Sequence, residues 1–188
     1  MDVQVECARR LFTADEYMRM AEVGILGKGE RIELIRGEIL TMSPIGPRHC
    51  AFVDAFNYLL VTALGERAWV RVQGTVWLFS DTMPEPDLTI FRRRGRSYRE
   101  AHPTPQDILF IIEVADTSLS YDRRVKLALY AEAGIPEYWV VDADAEAIEI
   151  HREPDGQRYR HSTRVTGTAT VSPLAFPDVV LRLPDIFA

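Results

Sequence analysis

Polar and apolar positions alternate at strand period over much of the chain and at helical period in three places. The segment Phe12-Thr13-Ala14-Asp15-Glu16-Tyr17 opens a helix. Thr13 and Glu16 are spaced as a capping box, and Phe12 with Tyr17 as a hydrophobic staple. Gly24 is placed to end that helix. Arg31 to Ile35 and Glu38 to Met42 alternate around Arg36-Gly37, which predicts a hairpin. Phe52, Ala55, Phe56, Leu59, Leu60 and Ala63 keep helical spacing, so a second helix is expected from Pro47 to Leu64, closed by Gly65.

Strand patterns fill the middle of the chain. Trp69 to Phe79 predicts a long strand, and Asp87 to Phe91 a shorter one introduced by Pro84-Glu85-Pro86. Arg92 to Pro105 reads as a charged loop. Ile108 to Val114 is nearly all apolar, as expected of a strand buried on both faces. Asp122 to Ala133 predicts a third helix, ended by Gly134-Ile135-Pro136. Tyr138 to Asp142 and Ala147 to Arg152 are two further strands, Asp155-Gly156 a turn, and Val179 to Leu183 a last short strand. A strand-helix-strand unit therefore sits at residues 108–142. The fold class is α/β, a central mixed β-sheet flanked by helices. The chain reads as a single domain over 1–188, with residues 1–11 as an N-terminal arm.

Composition narrows the function. A chain of 188 residues buries roughly 70% of its unfolded surface and needs no structural metal or disulfide. Two cysteines, Cys7 and Cys50, exclude a disulfide scaffold and a cysteine-rich zinc module. No apolar run approaches the ~20 residues of a membrane span, so no membrane partner is expected. Met1 to Glu6 lacks the features of a signal peptide, which points to the cytoplasm. The net charge of -6 is not that of a typical nucleic-acid binder, although a local basic patch can act against an acidic average. The cations are 20 arginines and two lysines, Lys28 and Lys126. A lysine is the exception here.

Asp87 and Glu113 are the informative acids. Both fall on predicted strands, where carboxylates are disfavoured. Glu113 follows an apolar run, with Leu109 and Ile111 as same-face neighbours expected to be buried. A carboxylate there must be paired, protonated or bound to a cation. Two on adjacent strands offer hard oxygen ligands suited to Mg²⁺ or Mn²⁺. Asp122, Lys126 and Tyr130 follow at i, i+4, i+8, close to one helix face. Lys126 carries a compact charge whose pKa can shift, unlike that of arginine.

The order Pro86-Asp87, Glu113 and then a lysine resembles the PD-(D/E)XK nuclease superfamily. More closely, the chain resembles the Uma-two family of restriction-endonuclease-like proteins. The matching stretches are Arg31 to Ile39, Met42-Ser43-Pro44 with His49, Glu85-Pro86-Asp87-Leu88, Glu113-Val114 with Ser118, Asp122 to Lys126 with Tyr130, and Gly134 to Asp142. The resemblance runs from about Phe12 to the C-terminus. It implies a restriction-endonuclease-like fold and metal-dependent hydrolysis of phosphodiester bonds in nucleic acid, with DNA the expected substrate and a homodimer the expected assembly. Asp87 and Glu113, with the Val114 carbonyl, would bind Mg²⁺ or Mn²⁺. One departure stands out. The superfamily lysine two residues after the glutamate is replaced by Ala115, and the resemblance implies that it has moved to Lys126.

Further candidates surround this set. Glu33 is either an ordinary solvent-facing hairpin residue or, as the resemblance implies, one that approaches the metal site; Gln73 is either a plain strand residue or the polar side chain that the superfamily often places near the metal. His49, in the first turn of the second helix, is either a surface residue or an active-site one. Arg92, Arg93, Arg94 and Arg96, with Arg99 nearby, are either a solvated loop or phosphate contacts beside the active site. Trp69, Trp77 and Trp139 read as core or interface. Each key residue also has a plainer reading: strand entry for Asp87, a buried arginine partner for Glu113, and an i, i+4 pair with Asp122 for Lys126. The main alternative to a nuclease is an inactive nuclease fold acting as a binding or structural module. Glycoside hydrolysis by the two carboxylates is a third reading, disfavoured by the neighbouring cations.

Overall fold

The computed structural model describes residues 8–27, 29–93 and 98–188. Helix α1 (Ala14–Glu22) starts at the predicted capping box: Thr13 accepts from the Glu16 N–H, and Glu16 accepts from the Thr13 N–H. Strands β1 (Ile32–Ile35) and β2 (Glu38–Thr41) form the predicted hairpin. Arg36 and Gly37 both have positive φ, 51° and 78°, the geometry of a type I′ turn. Helix α2 (Pro47–Leu64) closes at Gly65 as expected.

A second sheet of six strands runs in the order β3 (Ala68–Val72), β4 (Leu88–Arg92), β5 (Ile108–Ala115), β6 (Glu137–Asp142), β7 (Ala147–Asp155), β8 (Arg158–Thr166). Only β5 and β6 pair in parallel, joined by the predicted crossover helix. Every residue of β5 is buried, because both faces of the sheet are covered. Ile112 and Val114 face Phe56 and Leu60 of α2, and Ile111 and Ala115 face Leu129 and Tyr130 of the crossover. Glu113 takes that second face by strand alternation. Two short strands, β9 (Thr170–Val171) and β10 (Leu181–Arg182), and a helical turn at Leu183–Ile186 close the chain over the α2 face.

Three expectations are corrected, and one strand had no counterpart in the sequence pattern. The strand expected over Trp69–Phe79 stops at Val72, where Gln73 turns to φ 45°. The chain beyond it stays tied to 84–87 through irregular bonds such as Val76 N–H to Pro84 O. A β-bulge between Ile90 and Phe91 leaves Leu109 without a partner on β4. Leu109 is buried as expected, but with Phe110 on the α2 side rather than on Glu113's face. The third helix begins before Asp122. It comprises Leu119–Tyr121, a π-helical turn Asp122–Lys126, and Leu127–Glu132, together termed α3. Finally, β8 was hidden from hydropathy: Tyr159 is its one fully buried residue, and most of the others face solvent.

Candidate active site

Three elements bring the candidate residues together. The β1–β2 hairpin is stitched to the 82–85 segment through Leu34 and Met83, whose backbones bond reciprocally at 2.7 and 3.3 Å. That docking swings Glu33 under Glu85, whose N–H donates to Glu33 Oε1 at 2.7 Å. The ends of β4 and β5 supply Asp87 and Glu113. The π-helical turn of α3 supplies Lys126, and one turn later comes Tyr130. Such turns are frequent at functional sites.

Asp87 and Glu113 are locked to each other's strands. The Asp87 N–H donates to Glu113 Oε2 at 3.2 Å, and Asp87 Oδ2 accepts from the Val114 N–H at 2.8 Å. His49 Nε2 lies 3.0 Å from the same Asp87 oxygen. His49 is buried, so of its two readings the structure supports the one in the pocket. Its Nδ1 is buried without a partner. Gln73 Nε2 is 3.5 Å from Asp87 Oδ1, at the outer limit of a hydrogen bond.

Lys126 is 1% exposed. Its ammonium donates to Glu33 Oε1 at 2.5 Å and to Glu113 Oε1 at 3.1 Å. This displaces the i, i+4 reading, since the bonded partner of Asp122 is Ser118 Oγ at 2.5 Å. The Tyr130 hydroxyl donates to Glu113 Oε1 at 2.6 Å. Lys126 and Tyr130, not a buried arginine, therefore partner the Glu113 carboxylate.

The electrostatics are unbalanced. Four buried carboxylates, Glu33, Asp87, Glu113 and Asp122, meet one buried ammonium. Burial pushes Glu113 up to about 8, against the pull of Lys126. Burial also raises Asp122 to about 6, opposed by the Ser118 bond. For Lys126 burial alone favours the neutral amine, but Glu113 and Glu33 outweigh it and hold the proton more tightly than usual. Burial raises the Tyr130 hydroxyl well above its ordinary value, so it remains a donor. Glu33 Oε2 is buried with no hydrogen-bond partner among the described residues.

The site opens into a cavity of about 280 Å³ whose lining includes His49, Glu85, Asp87, Glu113, Asp122 and Lys126. Among the described residues no three His, Cys, Asp or Glu side chains are grouped to hold an ion by themselves. The donor set still suits one kind of cation. Asp87 and Glu113 are hard oxygen donors, and Mg²⁺ is commonly held by one or two carboxylates plus water and substrate phosphate. The surplus of buried negative charge, with Glu33 Oε2 unpartnered, fits a dication as the missing counter-charge.

Arg92 and Arg93 lie away from the carboxylates. Arg92 ends β4 five residues from Asp87, a separation of about 17 Å along an extended strand. Arg93 packs over Trp69 and donates to the Glu66 carbonyl at 3.2 Å. Both are thus at the far end of the strand from the carboxylates, which for these two favours the solvated-loop reading over phosphate contacts beside the site. Arg94 and Arg96 lie outside the described residues. Sequence reasoning passed over Asp122 and Glu85 as pocket residues and Tyr130 as the buried donor to Glu113. The i, i+4, i+8 spacing of Asp122, Lys126 and Tyr130 was the available signal for two of them; Glu85 enters through the docked hairpin.

Comparison with known proteins gives a consistent family. The sequence model of the family described as "Uma2: Putative restriction endonuclease" matches residues 14–184. No curated protein matches the chain. A crystal structure described as "a putative nuclease belonging to DUF820" from Anabaena variabilis ATCC 29413 superposes with TM-score 0.73, covering 94% of this chain and 97% of its own at 19% identity. That likeness shows the restriction-endonuclease-like fold. The type IIG restriction endonuclease BpuSI overlaps 60% of this chain and 13% of its own, at TM-score 0.37 and 20% identity, which is too partial to bear on the fold. No helix among the described residues is long and apolar enough to cross a membrane.

Proposed function

The chain belongs to the Uma2 family, and from that premise we propose that it is a metal-dependent endonuclease hydrolysing phosphodiester bonds in DNA. The observation that carries this reading is the meeting of Asp87, Glu113 and Lys126 in one buried, open-mouthed cluster.

Asp87 and Glu113, with the Val114 carbonyl, would hold Mg²⁺ or Mn²⁺. When bound, such an ion lowers the pKa of a coordinated water and neutralises charge on phosphate oxygens. The chain's own groups do the rest. The Val114 and Asp87 N–H groups fix both carboxylates, so neither must reorganise during the reaction. Lys126 keeps its proton beside Glu33 and Glu113, and so serves as a fixed positive charge rather than a base. With the proton on Nε2, His49 donates to Asp87 Oδ2 and holds it as an acceptor. Cleavage of both strands of a duplex calls for two such sites, and hence a second copy of the chain.

A second reading, a nuclease fold without catalysis, draws on one observation. Glu113 Oε1 already accepts from both Lys126 and Tyr130, leaving less of it for a cation. The two are separated by incubating the protein with linear and supercoiled DNA in Mg²⁺ or Mn²⁺. The nuclease reading expects cleavage that stops with EDTA, and intact DNA under both metals supports the inert fold. Release from a chromogenic glycoside instead would favour the third reading.

A further inference from the structure

A second cavity, of about 690 Å³, lies beside the first; Arg71, Thr75, Trp77 and Tyr98 line it, with the charged Arg99, Glu22 and Glu100 also on its lining. Thr75, which lines the second cavity, and Glu85, which lines the first, connect the two. The Thr75 hydroxyl donates to Glu85, which lines the candidate active site, at 3.0 Å. The Thr75 carbonyl turns the other way, 3.4 Å from Arg71 Nη1 and 3.2 Å from His102 Nδ1. Two residues earlier, Gln73 reaches toward Asp87.

The second cavity is built around an unusual cation. Arg71 is half-buried, and its guanidinium stacks 5.0 Å from the Phe91 ring centroid. Burial lowers its pKa, and it has no carboxylate partner among the described residues. Most other interior arginines here are paired, as Arg123 is with Glu149 and Arg152 with Glu137. Gly74 makes the Arg71 position possible: a Cβ there would sit 2.4 Å from Arg71 Cδ. Trp77 and Tyr98 add aromatic surface, and Tyr98 meets Phe91 edge to face at 4.8 Å. Trp77 N–H holds the opposite wall through Pro103 O at 3.1 Å.

A half-buried guanidinium with no carboxylate bonded to it among the described residues can take an anion, and aromatic rings beside it offer stacking surface for a base. We propose that this cavity takes one unpaired nucleotide of a bound DNA strand, its base against Trp77 and Tyr98 and its phosphate on Arg71. The Thr75–Glu85 contact links that nucleotide's cavity to the one holding Asp87 and Glu113. The proposal rests on the nuclease reading of the first cavity, and its test is separable from it.

The test measures binding of a fluorescein-labelled single-stranded DNA to the full chain in EDTA, so that metal-dependent cleavage is stopped. Arg71→Met keeps the packing stem but removes the charge, and should weaken binding roughly tenfold at an unchanged melting temperature. An abasic site walked along the DNA should weaken binding to the unaltered protein at one position by a similar factor. Trp77→Leu should erase that positional penalty. Equal affinity for Arg71→Met and the unaltered chain, or no position sensitive to base removal, overturns the proposal. Metal-dependent cleavage by the same preparations, measured separately, shows whether the nuclease reading stands when the nucleotide subsite falls.

Discussion

Asp87 and Glu113 hold each other across β4 and β5: the Asp87 N–H donates to Glu113 Oε2 at 3.2 Å, while the Asp87 carboxylate accepts from the N–H of Val114 at 2.8 Å. The two acids are therefore placed by backbone, not by flexible side chains. If they share a cation, Mg²⁺ or Mn²⁺ should raise the melting temperature by mass action. Glu113→Gln should abolish that shift while the apo protein still unfolds cooperatively. A shift equal to that of the unaltered chain would remove Glu113 as a ligand.

Glu113 also makes stability depend on pH. A carboxyl lifted from 4.5 to about 8 binds its proton more tightly folded than unfolded. Its contribution is fully present below about pH 4.5 and is lost as pH rises through about 8. Asp122, lifted from 3.8 to about 6, acts in the same direction over a lower window. Urea denaturation should therefore show stability falling between pH 5 and 8, with a flatter decline in Glu113→Gln. An identical slope in the two proteins would mean that Glu113 is ionised throughout.

Lys126 separates stability from chemistry. Lys126→Met strands Glu33 and Glu113 in the interior, and removing one partner of a buried ion pair costs about 3–5 kcal/mol. Lys126→Arg keeps the charge, but a larger planar group must enter a site with 1% exposure. Overpacking of this kind costs about 1–3 kcal/mol. Its cleavage rate should fall at least ~100-fold, the scale of a displaced charge-stabilising group. Chemical denaturation and a cleavage assay on both variants check the two halves; near-normal cleavage by Lys126→Arg would detach the lysine from the chemistry.

Tyr130→Phe deletes only a hydroxyl. Its bond to the Glu113 carboxylate is buried, so its loss should cost about 1.5–3 kcal/mol, read by denaturant midpoint. An unchanged midpoint would show that Glu113 finds another donor.

Much of this arrangement was legible from local chemistry. The Thr13–Glu16 cap, the Arg36-Gly37 turn and the apolar run before Glu113 each specify their element within a few residues. The scarcity of lysine singled out Lys126 before any geometry was known. What local patterns could not supply were relations set by tertiary packing. Glu33 reaches Lys126 because the hairpin docks through Leu34 and Met83. β8 is held by its pairing with β7 and shows little buried apolar face. The bulge at Leu109 reverses a face that simple alternation assigns wrongly. The two readings of Arg92 and Arg93 separate for a simpler reason: strand length alone carries Arg92 away from Asp87.

The most direct test of the central claim is the ratio of DNA cleavage rates, in Mg²⁺, between the unaltered chain and Asp87→Asn. Asparagine can keep an oxygen facing the Val114 N–H, so the fold should persist while a carboxylate is lost from the reaction centre. The account predicts metal-dependent cleavage by the unaltered chain and a loss of at least ~100-fold in the variant. Equal rates in the two proteins would place the chemistry away from Asp87 and Glu113 and contradict it.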